Sequence, residues 1–174
     1  MKTAAAETPE AGRPCGPLKI GVIGANGKSG SLIAREAAAR GNEVTAIVRR
    51  DVETPAGRAL VRDVFDLTAG DLAGFDAVVD AFGTSRPEGL PLYKRHLGHL
   101  ASVLAGAATR LLVVGGAGSL YADGERTGSY ILAGEEFTLN SNGESAMSYA
   151  DYAIGLIDEI EAGKHVRERI SLLS

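Results

Sequence analysis

Apolar positions along the chain alternate between short continuous runs and longer runs of helical spacing. Ile20, Val22 and Ile23 predict a buried strand, and residues 28–40 then follow a helical pattern that Gly41 stops. Residues 43–48 predict a second strand and residues 58–62 a short third one. A short helix at 69–72 has Asp66 or Thr68 available as its cap. The most continuous apolar strand spans 75–82 and ends at Gly83. Residues 92–104 have helical spacing, with Leu97, Leu100, Val103 and Leu104 on one face, and 109–114 predict a further buried strand that ends in Gly115 and Gly116. Two short strand-like pieces, 129–132 and 137–139, precede a helix at 149–161 that Ser145 or Ser148 can cap. Gly163 stops that helix, and residues 167–173 read as a final strand. Apolar strands alternating with helices imply an α/β domain whose parallel sheet is covered on both faces.

The first strand leads directly into glycines at 24, 27 and 30, and these open the helix. Such a turn brings bare backbone and a helix N-terminus to a phosphate. In this reading Gly24 allows the tight turn, Gly27 the close approach of a pyrophosphate, and Gly30 the packing of helix on strand. The same spacing also suits a strand-to-helix turn without a ligand. A P-loop fits worse: Gly27-Lys28-Ser29 spells the end of that motif, but its first glycine is required at position 22, which is Val, and Gly21 comes one residue too early.

The second strand ends in Arg49-Arg50, about twenty residues past the turn, where a doubly wound Rossmann unit faces the adenosine ribose. An acidic residue there suits NAD, whereas a guanidinium can donate two parallel charged hydrogen bonds to the extra phosphate of NADP. The sequence therefore favours NADP(H) over NAD(H), with a solvated charge pair as the plainer alternative. In such sheets ligands gather at the carboxyl ends of strands, and one cleft accounts for the glycines at 24, 83 and 115.

With 174 residues, 45% of them apolar, the chain is long enough for one core. Residues 1–17, with prolines at 9, 14 and 17, read as a disordered tail and residues 18–174 as one dinucleotide-binding domain. A net charge of −4 gives no basic footprint for nucleic acid, and no apolar run is long enough to span a membrane. The single cysteine, Cys15, excludes an internal disulfide, and a cytoplasmic location is expected. No metal site is indicated. His96 and His99 are three apart on one predicted helix and read as a solvated face, while Asp80 stands within an apolar strand and needs a partner if buried.

Taken together, Ile20-Gly-Val-Ile-Gly-Ala-Asn-Gly-Lys-Ser-Gly, Val44-Thr-Ala-Ile-Val-Arg, Asp76-Ala-Val-Val-Asp-Ala-Phe-Gly and Leu112-Val-Val-Gly-Gly-Ala-Gly-Ser-Leu-Tyr resemble the atypical short-chain dehydrogenases/reductases. This group includes NAD(P)H-binding proteins of the NmrA-like and NADH-flavin reductase kind. The likeness extends through Gly124-Glu-Arg-Thr-Gly-Ser-Tyr, Ser148-Tyr-Ala-Asp-Tyr-Ala and Asp158-Glu-Ile-Glu. It implies a Rossmann-type doubly wound sheet, with Gly24, Asn26, Gly27, Lys28, Ser29 and Gly30 at the pyrophosphate and Arg49, with Arg50 beside it, at the ribose phosphate. It further implies Asp63 and Val64 against the adenine, Ala81, Phe82 and Gly83 beneath the ribose and nicotinamide, and Gly115 and Gly116 nearby.

The chain departs from this group in two ways. No tyrosine is followed four residues later by lysine, so the Tyr-x-x-x-Lys proton donor of typical short-chain dehydrogenases is absent and no catalytic residue is assigned. Only Ala122-Asp123 separate the motif ending at Tyr121 from the one beginning at Gly124, where relatives carry a long stretch, so the C-terminal part is shortened. The expectation is an NAD(P)H-dependent oxidoreductase passing hydride from NADPH to a small acceptor such as a flavin or quinone. The alternatives are a non-catalytic NADP(H)-sensing module and a remnant that binds nothing well. A sheet edge uncovered by the shortening needs cover, from residues 129–173 or from a second copy of the chain, so a tendency to form a homodimer is expected.

Overall fold

The structure, a computed structural model, describes residues 16–83, 89–115, 120–121, 127–134, 139, 143–144 and 146–173. β1 (Lys19–Ile23) lies at the centre of a five-stranded sheet. β2 (Glu43–Val48) and then β3 (Arg58–Val61) lie on one side of it, β4 (Ala77–Asp80) and then β5 (Arg110–Val113) on the other. Every pairing is parallel, with Ile20 opposite both Val44 and Ala77. The strand order β3-β2-β1-β4-β5 is that of a Rossmann-type doubly wound sheet, and it puts all five carboxyl ends on one edge.

Alternation along the strands divides the side chains between two cores. Ile20, Val22, Val44, Ala46, Ala77 and Val79 pack against Ile33, Ala34 and Ala37 of α1 (Lys28–Ala39). Leu156, Ile157 and Ile160 of α4 (Tyr149–Ala162) join that core. On the opposite face Ile23, Ile47 and Val78 meet Val64, Leu67, Leu72 of α2 (Ala69–Leu72) and Leu100 of α3 (Leu90–Val103). Asp80, two residues beyond Val78, therefore faces α3.

Local chemistry sets the boundaries. Thr68 and Asp71 form a capping box that starts α2, with the Thr68 hydroxyl accepting from Asp71 N–H and the Asp71 carboxylate accepting from Thr68 N–H at 2.8 Å. α3 begins at Leu90 rather than 92, because Pro91 suits the first turn of a helix. β4 ends at Asp80, whose Oδ1 accepts from Phe82 N–H at 3.1 Å and turns the chain out of the ladder.

In the C-terminal part β6 (Leu120–Tyr121) pairs in parallel with β8 (Met147–Ser148), and β7 (Ile131–Ala133) pairs antiparallel with β9 (Ser171–Leu173). β9 is shorter than the expected 167–173: only Ser171–Leu173 pair with β7, and Arg167, with a left-handed φ of 62°, stands outside the extended run. Of the strand expected at 137–139, residues 137 and 138 lie outside the described residues and Leu139 is in no strand. The tail at 1–15 is likewise outside them. Ser148 caps α4, its hydroxyl accepting from Asp151 N–H at 3.0 Å. The Asp151 carboxylate in turn accepts from the N–H groups of Thr127 and Gly128 at 3.2 and 2.8 Å, fixing the chain that leads into β7. Arg40 at the end of α1 reaches Asp158 and Glu161 of α4, so the C-terminal helix is tied to the first one.

Candidate functional site

The turn between β1 and α1 is built by glycines in three different ways. Gly24 has a φ of +74°, and its N–H donates to the Ile47 carbonyl at 3.1 Å. A Cβ there would stand 2.9 Å from the Ala81 carbonyl oxygen, so the turn and the segment after β4 touch backbone to backbone. Gly30 is buried, and a Cβ on it would collide with the Gly24 carbonyl. Gly27 is exposed in an extended conformation, and a Cβ on it would meet the Gly24 oxygen at 3.2 Å and then open space.

Gly27 caps α1 without a side chain, and the first helical bond runs from Ser31 N–H to the Gly27 carbonyl at 2.9 Å. Among the described residues, the N–H groups of Lys28, Ser29 and Gly30 have no acceptor. Three free donors at the positive end of a 12-residue helix, beside a glycine open to solvent, suit a phosphate group. Asn26 and Lys28 are exposed beside them and Ser29 is half-buried.

Arg49 and Arg50 are exposed just past β2. The β2–β3 register brings in a third arginine that sequence reasoning left out of the site: Arg62 N–H donates to the Val48 carbonyl at 2.8 Å, and its guanidinium pairs with Asp71 at 3.2 Å. Its signal was its place at the end of a predicted strand beside the one ending in Arg49. Asp63, half-buried, caps the 3₁₀ turn Val64–Asp66 by accepting from Phe65 N–H at 3.0 Å. The Val64 side chain is buried in the core, so what it offers a ring is backbone.

Ala81 and Phe82 are half-buried and Gly83 is exposed beyond β4, with Ala81 N–H donating to the Ile23 carbonyl at 3.1 Å. Gly115 is exposed past β5; Gly116 lies outside the described residues. Parallel β1, β4 and β5 are neighbours, so Gly24, Gly83 and Gly115 share one edge as expected. Two depressions, of about 340 and 510 Å³, lie at the opposite edge, around Leu18 and Arg40 and around Val44 and Arg58. They are remote from the glycine turn.

The solvated reading of the two histidines is corrected. His96 is 1% exposed, and its Nε2 lies 2.7 Å from Oδ2 of Asp80, itself 1% exposed. His99 is half-buried, with Nε2 3.0 Å from the Leu67 carbonyl. The partner that Asp80 required is thus a helix residue 16 positions away. Sequence held a signal for it, because His96 stands four residues before Leu100 on the apolar face of α3. Among the described residues no group of three His, Cys, Asp or Glu side chains converges on a metal position.

No protein-family model matches the chain. It is 38% identical over 211 residues to the uncharacterised protein YwnB of Bacillus subtilis, covering 90% of this chain and 99% of that one. Among solved structures, a Streptococcus pneumoniae protein described as "a putative NADH-flavin reductase" superposes with a TM-score of 0.85 at 43% identity, over 90% of this chain and 99% of its own. The chain belongs to the NAD(P)-binding atypical short-chain dehydrogenase/reductase family.

A Lactobacillus casei member of the same fold, 24% identical, superposes with a TM-score of 0.80 over 89% of this chain and 98% of its own. The YwnB alignment also measures the shortening. It spans 211 positions, whereas 90% of 174 residues is about 157, so about 54 positions of that relative face no residue here. In this family's terms the β1–α1 turn fits a dinucleotide pyrophosphate, on the free N–H groups and the open face of Gly27.

Proposed function

We propose that this protein is an NADPH-dependent reductase that passes hydride to a small acceptor such as a flavin or a quinone. The observation that carries the proposal is the turn at residues 24–30, with its left-handed Gly24, its open Gly27 and three helix-end N–H groups that have no acceptor among the described residues. Gly24, Asn26, Gly27, Lys28, Ser29 and Gly30 hold the pyrophosphate. Arg49 and Arg50 hold the ribose phosphate, which makes NADP(H) the preferred cofactor over NAD(H). Asp63 and Val64 border the adenine; Ala81, Phe82, Gly83 and Gly115 line the nicotinamide half.

The cofactor supplies the hydride, and the residues of this chain bind, orient and cover it. Without a Tyr-x-x-x-Lys pair the protein has no lysine-lowered phenol to protonate an acceptor. Flavins and quinones need little such help, and the name of the pneumococcal relative supports a flavin. The site works in the cytoplasm, and the β5 edge, with Val113 47% exposed, joins two copies. The test is NADPH consumption with flavins and quinones as acceptors, where turnover is expected and its absence against every acceptor contradicts the proposal.

A second reading is favoured by the 54 or so positions of YwnB that face no residue here, which the family resemblance assigns to the stretch between Tyr121 and Gly124 and to part of the acceptor cleft. In that reading the chain senses NADP(H) without turnover. Tight NADPH binding together with no oxidation of it supports the sensor.

A further inference from the structure

The Asp80–His96 pair is buried beneath the edge of the sheet where the nicotinamide half of the cofactor is placed. Each of its polar atoms is engaged. Asp80 Oδ1 accepts from Phe82 N–H at 3.1 Å, Asp80 Oδ2 lies 2.7 Å from His96 Nε2, and His96 Nδ1 lies 3.2 Å from the Leu92 carbonyl. A carbonyl oxygen only accepts, so Nδ1 carries a hydrogen. The short contact between Nε2 and the carboxylate then holds one further proton, because two lone pairs at that distance would repel. The His96 ring packs against Phe82 with centroids 4.3 Å apart, and Tyr93 meets Phe82 edge-on at 5.6 Å.

The couple therefore holds both the backbone and the ring of Phe82. The residue before it, Ala81, is wedged between the Ile23 carbonyl and Gly24. We propose that Asp80 and His96 are a positioning pair, a buried couple with one shared proton that locks Ala81–Phe82–Gly83 into the floor of the nicotinamide half of the dinucleotide site. The inference rests on the dinucleotide reading above. Salt-bridge strength is not the point, since burying two charges costs about as much as their attraction returns. What the pair contributes is one fixed geometry for the segment after β4.

The experiment compares calorimetric titrations of two probes: NADPH, and adenosine 2′,5′-bisphosphate, which carries only the adenosine half. His96→Leu leaves Asp80 without its partner and releases Phe82; it is expected to weaken NADPH by about tenfold or more and to leave the bisphosphate within about twofold. Asp80→Asn keeps an acceptor for Phe82 N–H and offers an amide hydrogen to a neutral His96. It is expected to restrict the loss to about threefold or less. Equal loss of both probes in a folded His96→Leu protein, or no loss of NADPH, overturns the proposal. A wild-type protein that binds neither probe overturns the dinucleotide reading itself. If His96→Leu does not fold, nitrogen NMR of histidine-labelled wild type decides. The His96 ring signals should move with NADPH but not with the bisphosphate; unmoved signals overturn the proposal.

Discussion

Gly30 packs so closely on Gly24 that a Cβ at position 30 would occupy the space of the Gly24 carbonyl. The contact is backbone on backbone, so no side chain can swing aside to relieve it. Gly30→Ala is therefore expected to destabilise the fold by about 1–3 kcal/mol, read from urea unfolding. Gly27, three residues earlier, has an ordinary extended backbone, and a Cβ there meets only the Gly24 oxygen, at 3.2 Å. Gly27→Ala should cost less, about 1 kcal/mol or below, for that contact and for alanine's poorer fit at a helix N-cap. Equal effects at the two positions would contradict the division of labour within the turn.

Arg49 sets the cofactor preference in this account. Arg49→Asp replaces a charged hydrogen bond to phosphate, worth about 1.5–3 kcal/mol, by repulsion. The ratio of the dissociation constants for NADPH and NADH should move about tenfold or more toward NADH. An unmoved ratio means that Arg49 is a surface charge.

Asp151 makes the stability of the C-terminal part sensitive to acid. Burial pushes its carboxyl up, but the N–H groups of Gly128 and Thr127 and the hydroxyls of Ser148 and Thr127 outweigh that and hold it below its ordinary value of 3.8. A depressed folded value means stability that is fully present above the unfolded value and is lost as pH falls toward the folded one. Wild type should exceed Asp151→Asn in urea midpoint by a constant margin from pH 7 to about pH 5, narrowing below about pH 4. A margin that stays constant to pH 3 would contradict this.

β5 forms an edge of the sheet, and its Val113 is 47% exposed. Sedimentation is expected to show a concentration-dependent dimer, which Val113→Lys weakens by placing a charge on that edge. A monomer at high concentration contradicts the expected association.

The first half of the fold was legible because its determinants are local. The apolar runs at 20–23 and 43–48 and the helical spacing at 28–40 fall between glycines, and each sits within a few residues of what it specifies. Thr68 or Asp66 as the cap of α2 was left open by sequence. The structure selects Thr68, since only it has Asp71 at the third helical position to complete the box. His96 was misread because its partner is tertiary: a polar residue on a helix looks solvated until a strand carboxylate is packed against it. The same applies to Arg62, whose neighbourhood with Arg49 comes from strand register. The strand at 167–173 was read too long because its extent is set by a tertiary pairing of three residues with β7, and nothing in its pattern announces the left-handed Arg167.

The central claim, a dinucleotide bound on the β1–α1 turn, is tested most directly by calorimetric titration of NADPH into wild type and Gly27→Val. A branched side chain at position 27 fills the open space assigned to the pyrophosphate, and its Cβ meets only the Gly24 oxygen within the protein. Wild type is predicted to bind one NADPH per chain, and folded Gly27→Val to give no binding heat. Unchanged affinity in the folded variant would contradict the account and remove the site from residues 24–30.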